Sequence, residues 1–221
     1  MDLHIFDLDD TLIAGDSGVL WHQYLVEQGI VTQAGFLAQD AAMMEQYAQG
    51  ELALEEYIRF SLSPIQSLSC SQIDRLVEDF VQQHIRQIIY PEGQKLIHDL
   101  LYQQHQVLII SATVSFIVKK VAKQLGVKDF LGVDLKLKNG SYSEHIEGVA
   151  SFREGKVIRL LEWQQSKQQA YQRSYFYSDS INDRALLEHV DKAYVVNPCP
   201  KLKQLAMEKP WSMLSWKLQK T

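Results

Sequence analysis

Leu3-His4-Ile5-Phe6-Asp7-Leu8-Asp9-Asp10-Thr11 is the stretch that decides how this chain is read. The apolar run Leu3 to Phe6 is bounded by polar residues and reads as a short buried strand. Asp7 and Asp9 stand two apart, so on an extended backbone their side chains project to the same side. Two carboxylates held that close each raise the cost of ionising the other. A cation between them removes that penalty, and a hard one such as Mg²⁺ prefers carboxylate oxygen. The plain alternative is an acidic turn capping a helix. The residues downstream decide between the two.

Residues Ser17 to His84 read as helical throughout. Trp21, Tyr24, Leu25 and Gln28 suit one amphipathic face, and Met43, Met44, Tyr47 and Ala48 a second. Gly50 and the stretch Ser61 to Ser69, with Pro64, interrupt the pattern. A further helix is predicted over Ser71 to Gln87, with Ile73, Leu76, Val77, Phe80 and Val81 inward. From Tyr90-Pro91 the grammar changes to alternating helices and strands. Pro91 suits the first turn of a helix. Gln106 to Ile110 reads as a buried strand ending at Ser111, and the helix after it stops at Gly126. Phe130 to Leu137 is extended, and Asn139-Gly140 signals a hairpin with Lys136 and Tyr142 on paired arms. Arg153 to Gln165 reads as a helix with Val157, Leu160 and Leu161 inward. Strands are predicted at Ser174 to Ser178 and Ala193 to Val196. The fold class is α/β, a Rossmann-like parallel sheet with helices on both faces. In such sheets ligands bind at the carboxyl ends of the strands.

The chain has 221 residues, 46% of them hydrophobic, enough for one core plus an insert. A net charge of -5 and the lack of a basic stretch argue against a nucleic-acid partner. Cys70 and Cys199 stand far apart with no C-x-x-C pair, which suits a reducing cytoplasm. No apolar run is long enough to span a bilayer. The segment from Pro210-Trp211 to Trp216-Lys217 has the aromatics and lysines of a membrane foot, but is expected as an edge strand or tail packed on the core. The seven histidines form no local ligand pair, so zinc is not expected. Oligomeric state is left at monomer or homodimer.

Three predicted strands end in polar groups: Asp7 with Asp9, Ser111 with Thr113, and Asp179 with Asp183. Lys156 follows Gly155 near a helix start. Carboxylates for Mg²⁺, a hydroxyl at a helix N-terminus and one lysine are what phosphoryl chemistry requires. Taken alone, Ser111 suits a helix N-cap and a lone lysine a solvated surface.

On these residues the chain resembles, over its whole length, the haloacid dehalogenase superfamily, a large group of mainly phosphatases. Motif I is Asp7-Leu8-Asp9-Asp10-Thr11-Leu12, motif II Ser111-Ala112-Thr113, motif III Gly155-Lys156, and motif IV Tyr177-Ser178-Asp179-Ser180-Ile181-Asn182-Asp183. The helical insert after motif I resembles the cap of the phosphoserine-phosphatase-like branch, which also includes histidinol-phosphate phosphatases. The resemblance implies a core of residues 1–15 and 90–221 and an all-helical cap of 16–89. It implies Asp7 as nucleophile, Asp9 as acid-base, and Ser111 and Lys156 as holders of the transferring oxygens. Mg²⁺ would be bound by Asp7, the Asp9 carbonyl and Asp179, with Asp183 in support. Ser111, Ala112, Thr113, Lys156 and Asn182 would contact the substrate, a small phosphorylated metabolite. Phosphoserine phosphatases carry two glycines after the motif II serine and a glutamate after motif I; here stand Ala112 and Thr113, and the nearest acid is Asp16. Asp16, Tyr57 and Arg59 are candidates for reading the leaving group. A phosphotransferase or mutase with the same chemistry and a phospho-acceptor signalling module are the alternatives.

Overall fold

The computed structural model describes residues 1–49 and 53–218, with the side chains of 47–49 left out of that description. The break expected at Gly50 and the inward face expected of Tyr47 and Ala48 therefore lie outside the described residues. Strand β1 (Leu3–Phe6) is buried along its whole length, as a strand with neighbours on both edges and helices on both faces must be. It lies between β2 (Gln106–Val114) and β6 (Ser174–Ser178) in a six-stranded parallel sheet. The order is completed by β3 (Asp129–Val133) beyond β2, and by β7 (Lys192–Val196) and β8 (Ser212–Leu214) beyond β6. Phe6 pairs with Ile109 on one side and with Tyr177 on the other. Asp7 therefore follows one residue beyond that row, and Ser111 and Asp179 two residues beyond it.

Alternation along the strands separates two apolar faces. Phe6, Val107, Ile109, Tyr177 and Val196 join one core with α5 (Pro91–Tyr102) and α6 (Ser115–Gln124). Leu3, Ile5, Leu108, Phe176 and Val195 join the other with α7 (Glu154–Lys167), α8 (Arg184–His189) and α9 (Pro200–Ala206). In α7 Lys156, Leu160 and Trp163 are buried and Val157 packs against the same core, as expected of Val157 and Leu160, whereas Leu161 is exposed.

The helical segment is less continuous than its composition suggests. It holds α1 (Ser17–Glu27), α2 (Phe36–Gln49), α3 (Leu54–Leu62) and α4 (Cys70–Phe80). Ser69 starts α4 with a reciprocal cap to Gln72. The predicted single helix to Gln87 instead widens over Val81–Ile85 and tightens over Arg86–Ile88. Gln28 caps α1 and is exposed, outside the buried face given to it. The apolar side of the segment shares one core with the first sheet face. Where the chain leaves for the segment and returns, Ala14 N–H donates to the Ile88 carbonyl and Tyr90 N–H to that of Leu12.

The Asn139-Gly140 turn joins β4 (Leu135–Lys138) to β5 (Ser141–Ile146), both turn residues having positive φ. Lys136 and Tyr142 stand on these paired arms, with Leu137 directly opposite Tyr142. The tip of this hairpin reaches the helical segment, where the Gly140 carbonyl accepts from Cys70 N–H at 2.9 Å. The C-terminal stretch is an edge strand followed by a buried Trp216, clasped by Asn197 through two hydrogen bonds. That is the tail packed on the core. No helix among the described residues is long and apolar enough to cross a membrane.

Gly155 stands in the first turn of α7 because its backbone lies against the loop before it. A Cβ there would lie 2.0 Å from the Ala150 carbonyl oxygen, a backbone atom with no freedom to yield. Gly155→Ala should therefore displace the loop that carries Ser151 and lower the melting temperature by several degrees, on the order of 1–3 kcal/mol. Calorimetry showing an unchanged melting temperature would contradict this packing.

Candidate active site

Asp7, at the end of β1, is almost completely buried. Its Oδ1 accepts from Lys156 Nζ at 2.7 Å, and Oδ2 is 3.3 Å from the Thr11 hydroxyl. The same Lys156 ammonium reaches Asp183 Oδ1 at 2.7 Å and Oδ2 at 2.8 Å. Lys156, Asp7 and Asp183 are each more than nine-tenths buried. A buried lysine can remain charged only when carboxylates surround it. Burial pulls its pKa down, but Asp183 and Asp7 raise it above the ordinary lysine value. Ser178 supports the pair by donating to Asp183 Oδ2 at 2.7 Å.

Asp9 lies two residues on and lines the same cavity. Its Oδ2 accepts from the Thr113 hydroxyl at 2.7 Å and the Ser111 hydroxyl at 3.2 Å. Its Oδ1 accepts from Ser17 N–H at 2.6 Å, so this carboxylate also marks where α1 begins. Ser111 does not cap a helix. β2 runs on to Val114 and α6 begins at Ser115 with no side-chain cap. The reason is the β2–β3 pairing, which shifts register between Ile110 and Val114 and carries Ser111 to Thr113 along the strand end as an irregular extended stretch. Ser151, from the loop before α7, donates to the Ser111 carbonyl and fixes that stretch.

Asp179 ends β6 and accepts from the Thr11 hydroxyl at 3.0 Å. Thr11 therefore stands between Asp7 and Asp179, and with one proton it can donate to only one of them. Burial pushes the Asp179 carboxyl up to about 9, with Asp7, Asp183 and Asp10 adding to it and Thr11 opposing. Burial likewise pushes Asp7 up to about 7; Lys156 opposes, and Asp183 and Asp9 add. Six aspartates (Asp7, Asp9, Asp10, Asp16, Asp179, Asp183) line the cavity, and Lys156 is the only Lys or Arg among its described lining residues. Oxygen donors with this surplus of negative charge fit a hard divalent cation beside Asp7 and Asp179.

The cavity is about 320 Å³, with Ser111, Ala112, Thr113, Lys156 and Asn182 all on its wall. Asp16 and Tyr57 reach it as well. Arg59 does not, being exposed and facing Glu144 of β5 at 3.4 Å. Its place in the last turn of α3 turns it from the cavity to the hairpin. Thr11, Ser151, Ser178 and Ser17 were not singled out in sequence. Of these Thr11 and Ser178 had a signal, their places within motifs I and IV. Asp2, His4 and His105, at the opposite end of β1, bring potential metal-ligating atoms within 4.8 Å of one another. Asp2 and His4 stand two apart, but His105 is distant in sequence, so no local spacing joins the two histidines. The His4 ring stacks on Tyr175, and His105 Nδ1 accepts from Asp2 N–H, so both rings also serve packing.

Fold and site together define the class, an enzyme of phosphatase type on a Rossmann-like parallel sheet. A family model described as haloacid dehalogenase-like hydrolase matches residues 5–188, and the chain belongs to that family. It is 34% identical over 220 residues to a histidinol-phosphatase of Neisseria meningitidis serogroup C (strain 8013), covering 98% of this chain and 99% of that one. A crystal structure of a protein with unknown function from Bordetella pertussis Tohama I superposes with a TM-score of 0.90 at 32% identity, over 96% of this chain and 97% of that chain. A substrate-bound phosphoserine phosphatase shares the fold, with a TM-score of 0.69 at 16% identity over 96% and 92% of the two chains.

The buried acids make the metal-free protein sensitive to pH. A carboxyl whose pKa is raised by folding holds a proton that the unfolded chain has already released, so stability falls as pH rises. For Asp179 the window runs from the ordinary carboxylate range up to about 9. Thermal melts in chelator should show melting temperature falling across that window, and falling less in Asp179→Asn. An equal slope in the two proteins would contradict the assignment.

Proposed function

We propose that this protein is a Mg²⁺-dependent phosphomonoester hydrolase that works through an aspartyl-phosphate on Asp7 and acts on a small phosphorylated metabolite. The observation that carries the reading is the Asp7 carboxylate, held at one oxygen by Lys156 and opening into a cavity lined by Asp9, Ser111 and Asn182. An Asp7 oxygen attacks phosphorus, and the bond from phosphorus to the ester oxygen breaks. The departing alcohol oxygen takes its proton from Asp9. Asp9, now a carboxylate, takes a proton from water as that water's oxygen attacks phosphorus. The bond to Asp7 then breaks and inorganic phosphate leaves. Ser111, Thr113 and Lys156 hold the phosphoryl oxygens through this passage. Mg²⁺, held by Asp7, the Asp9 carbonyl and Asp179 with Asp183 behind, would screen the phosphoryl charge from the attacking carboxylate.

Residues 1–15 and 90–221 act as the catalytic part and 16–89 as a lid that excludes water and selects the leaving group. The likeness to a histidinol-phosphatase along both whole chains favours histidinol phosphate over phosphoserine as substrate. So does the replacement of both glycines of the phosphoserine-phosphatase pattern by Ala112 and Thr113. A substrate carboxylate would also have to enter a cavity already lined by six aspartates.

Chelator should abolish phosphate release and Mg²⁺ should restore it. Asp7→Asn should remove turnover, and Asp9→Asn should slow alkyl esters far more than p-nitrophenyl phosphate, whose leaving group needs no proton. Full activity in excess chelator, or turnover by Asp7→Asn, would overturn the reading.

A further inference from the structure

One buried polar group in the helical segment has no role in the chemistry described above. His22, in α1, is completely buried and lines the cavity. Ser17 N–H, at the start of that helix, touches Asp9. At 1.5 Å per residue His22 lies about 7.5 Å further along the helix axis, away from the reacting acids. Its Nδ1 lies 2.9 Å from Asp40 Oδ1 of α2, close enough for an ion pair though off the line of a hydrogen bond. Asp40 Oδ1 also accepts from the Tyr57 hydroxyl of α3 at 3.0 Å. Three helices of the segment thus meet at one buried carboxylate. Phe36 and Phe60 set their rings nearly perpendicular to the imidazole, at 5.3 and 5.8 Å, and hold its plane.

With Nδ1 turned to Asp40, Nε2 is the atom left over, and it has no hydrogen-bond partner among the described residues. A buried ring nitrogen without a partner costs stability, and native structures rarely keep one without use. The wall around it is mostly apolar, with Trp21, Met44, Ile58 and Phe116. An anionic head would meet Asp16 on this wall, with the Asp40 carboxylate behind His22. A neutral or cationic nitrogen head, flat enough for apolar walls, meets a hydrogen-bonding partner in Nε2.

We propose that His22, positioned by Asp40 and Tyr57, is the subsite that hydrogen-bonds the nitrogen-bearing head of the leaving group, and that the substrates are phosphomonoesters whose leaving alcohol ends in a nitrogen heterocycle. The inference rests on the phosphatase reading of the same cavity. Discrimination against a head of the same shape without nitrogen comes from leaving Nε2 unsatisfied.

The test compares L-histidinol phosphate with L-phenylalaninol phosphate, which keeps the backbone and replaces the heterocycle by a phenyl ring. The full-length protein with Mg²⁺ is assayed as wild type, His22→Phe, His22→Gln and Asp40→Asn. The quantity read is the ratio of kcat/KM for the two substrates, in which any effect on folding yield or on the shared chemical step cancels. Wild type should favour the imidazole substrate at least about tenfold. His22→Phe should bring the ratio close to one, mainly through KM, Asp40→Asn should lower it, and His22→Gln should recover part of it. A wild-type ratio near one, or a ratio that His22→Phe and Asp40→Asn leave unchanged, overturns the subsite. Failure of wild type to release phosphate from either substrate or from p-nitrophenyl phosphate overturns the phosphatase reading instead.

Discussion

The site is organised around one buried cation. Lys156 Nζ lies 2.7 Å from Asp7 and from Asp183, and neither carboxylate has solvent to fall back on. Removing the ammonium would leave two uncompensated charges in the interior, so the ends of β1 and β6 and the start of α7 must be held together. That requirement reaches into the backbone. Lys156 can arrive only if Gly155 presses against the Ala150 carbonyl, and the loop so placed brings Ser151 onto the Ser111 carbonyl. Motifs scattered over most of the sequence become one constellation through a single side chain.

The sheet supplies the other half of the arrangement. Because β1 is paired on both edges, the register of Phe6 with Ile109 and Tyr177 brings the acids, the hydroxyls and Asp179 to one crevice. The helical segment covers that crevice while sharing a core with the sheet face beneath it. Asp9 joins the two, since one of its oxygens faces Ser111 and Thr113 and the other receives the first amide of α1. A surplus of carboxylates in so small a volume makes a divalent cation and a non-anionic leaving group complementary partners.

Much of this was legible from residue pattern because it depends on local chemistry. The buried strand before Asp7, the hairpin at Asn139-Gly140 and the parallel sheet with helices on both faces follow from alternation, turn preference and the succession of strands and helices. What was hidden depends on distant pairing. The extension of β2 past Ser111 arises from an irregular register with β3, which no window of sequence contains. That α7 buries Trp163 beside Leu160 and leaves Leu161 exposed is set by the sheet face it meets. Arg59 was placed toward the substrate by position along the chain, whereas Glu144 of the hairpin draws it outward. His22 had no signal at all, because its significance comes from Asp40 and Tyr57 on two other helices.

The central claim is that phosphorus passes through a covalent bond to Asp7 on its way from ester to water. The stereochemical course at phosphorus tests this most directly, using a phosphorothioate ester made chiral with two oxygen isotopes and hydrolysed in water carrying the third. Each in-line displacement inverts the phosphoryl group, so attack by Asp7 followed by attack by water gives net retention. Net inversion would mean that water attacks the ester in one step, and would contradict the account.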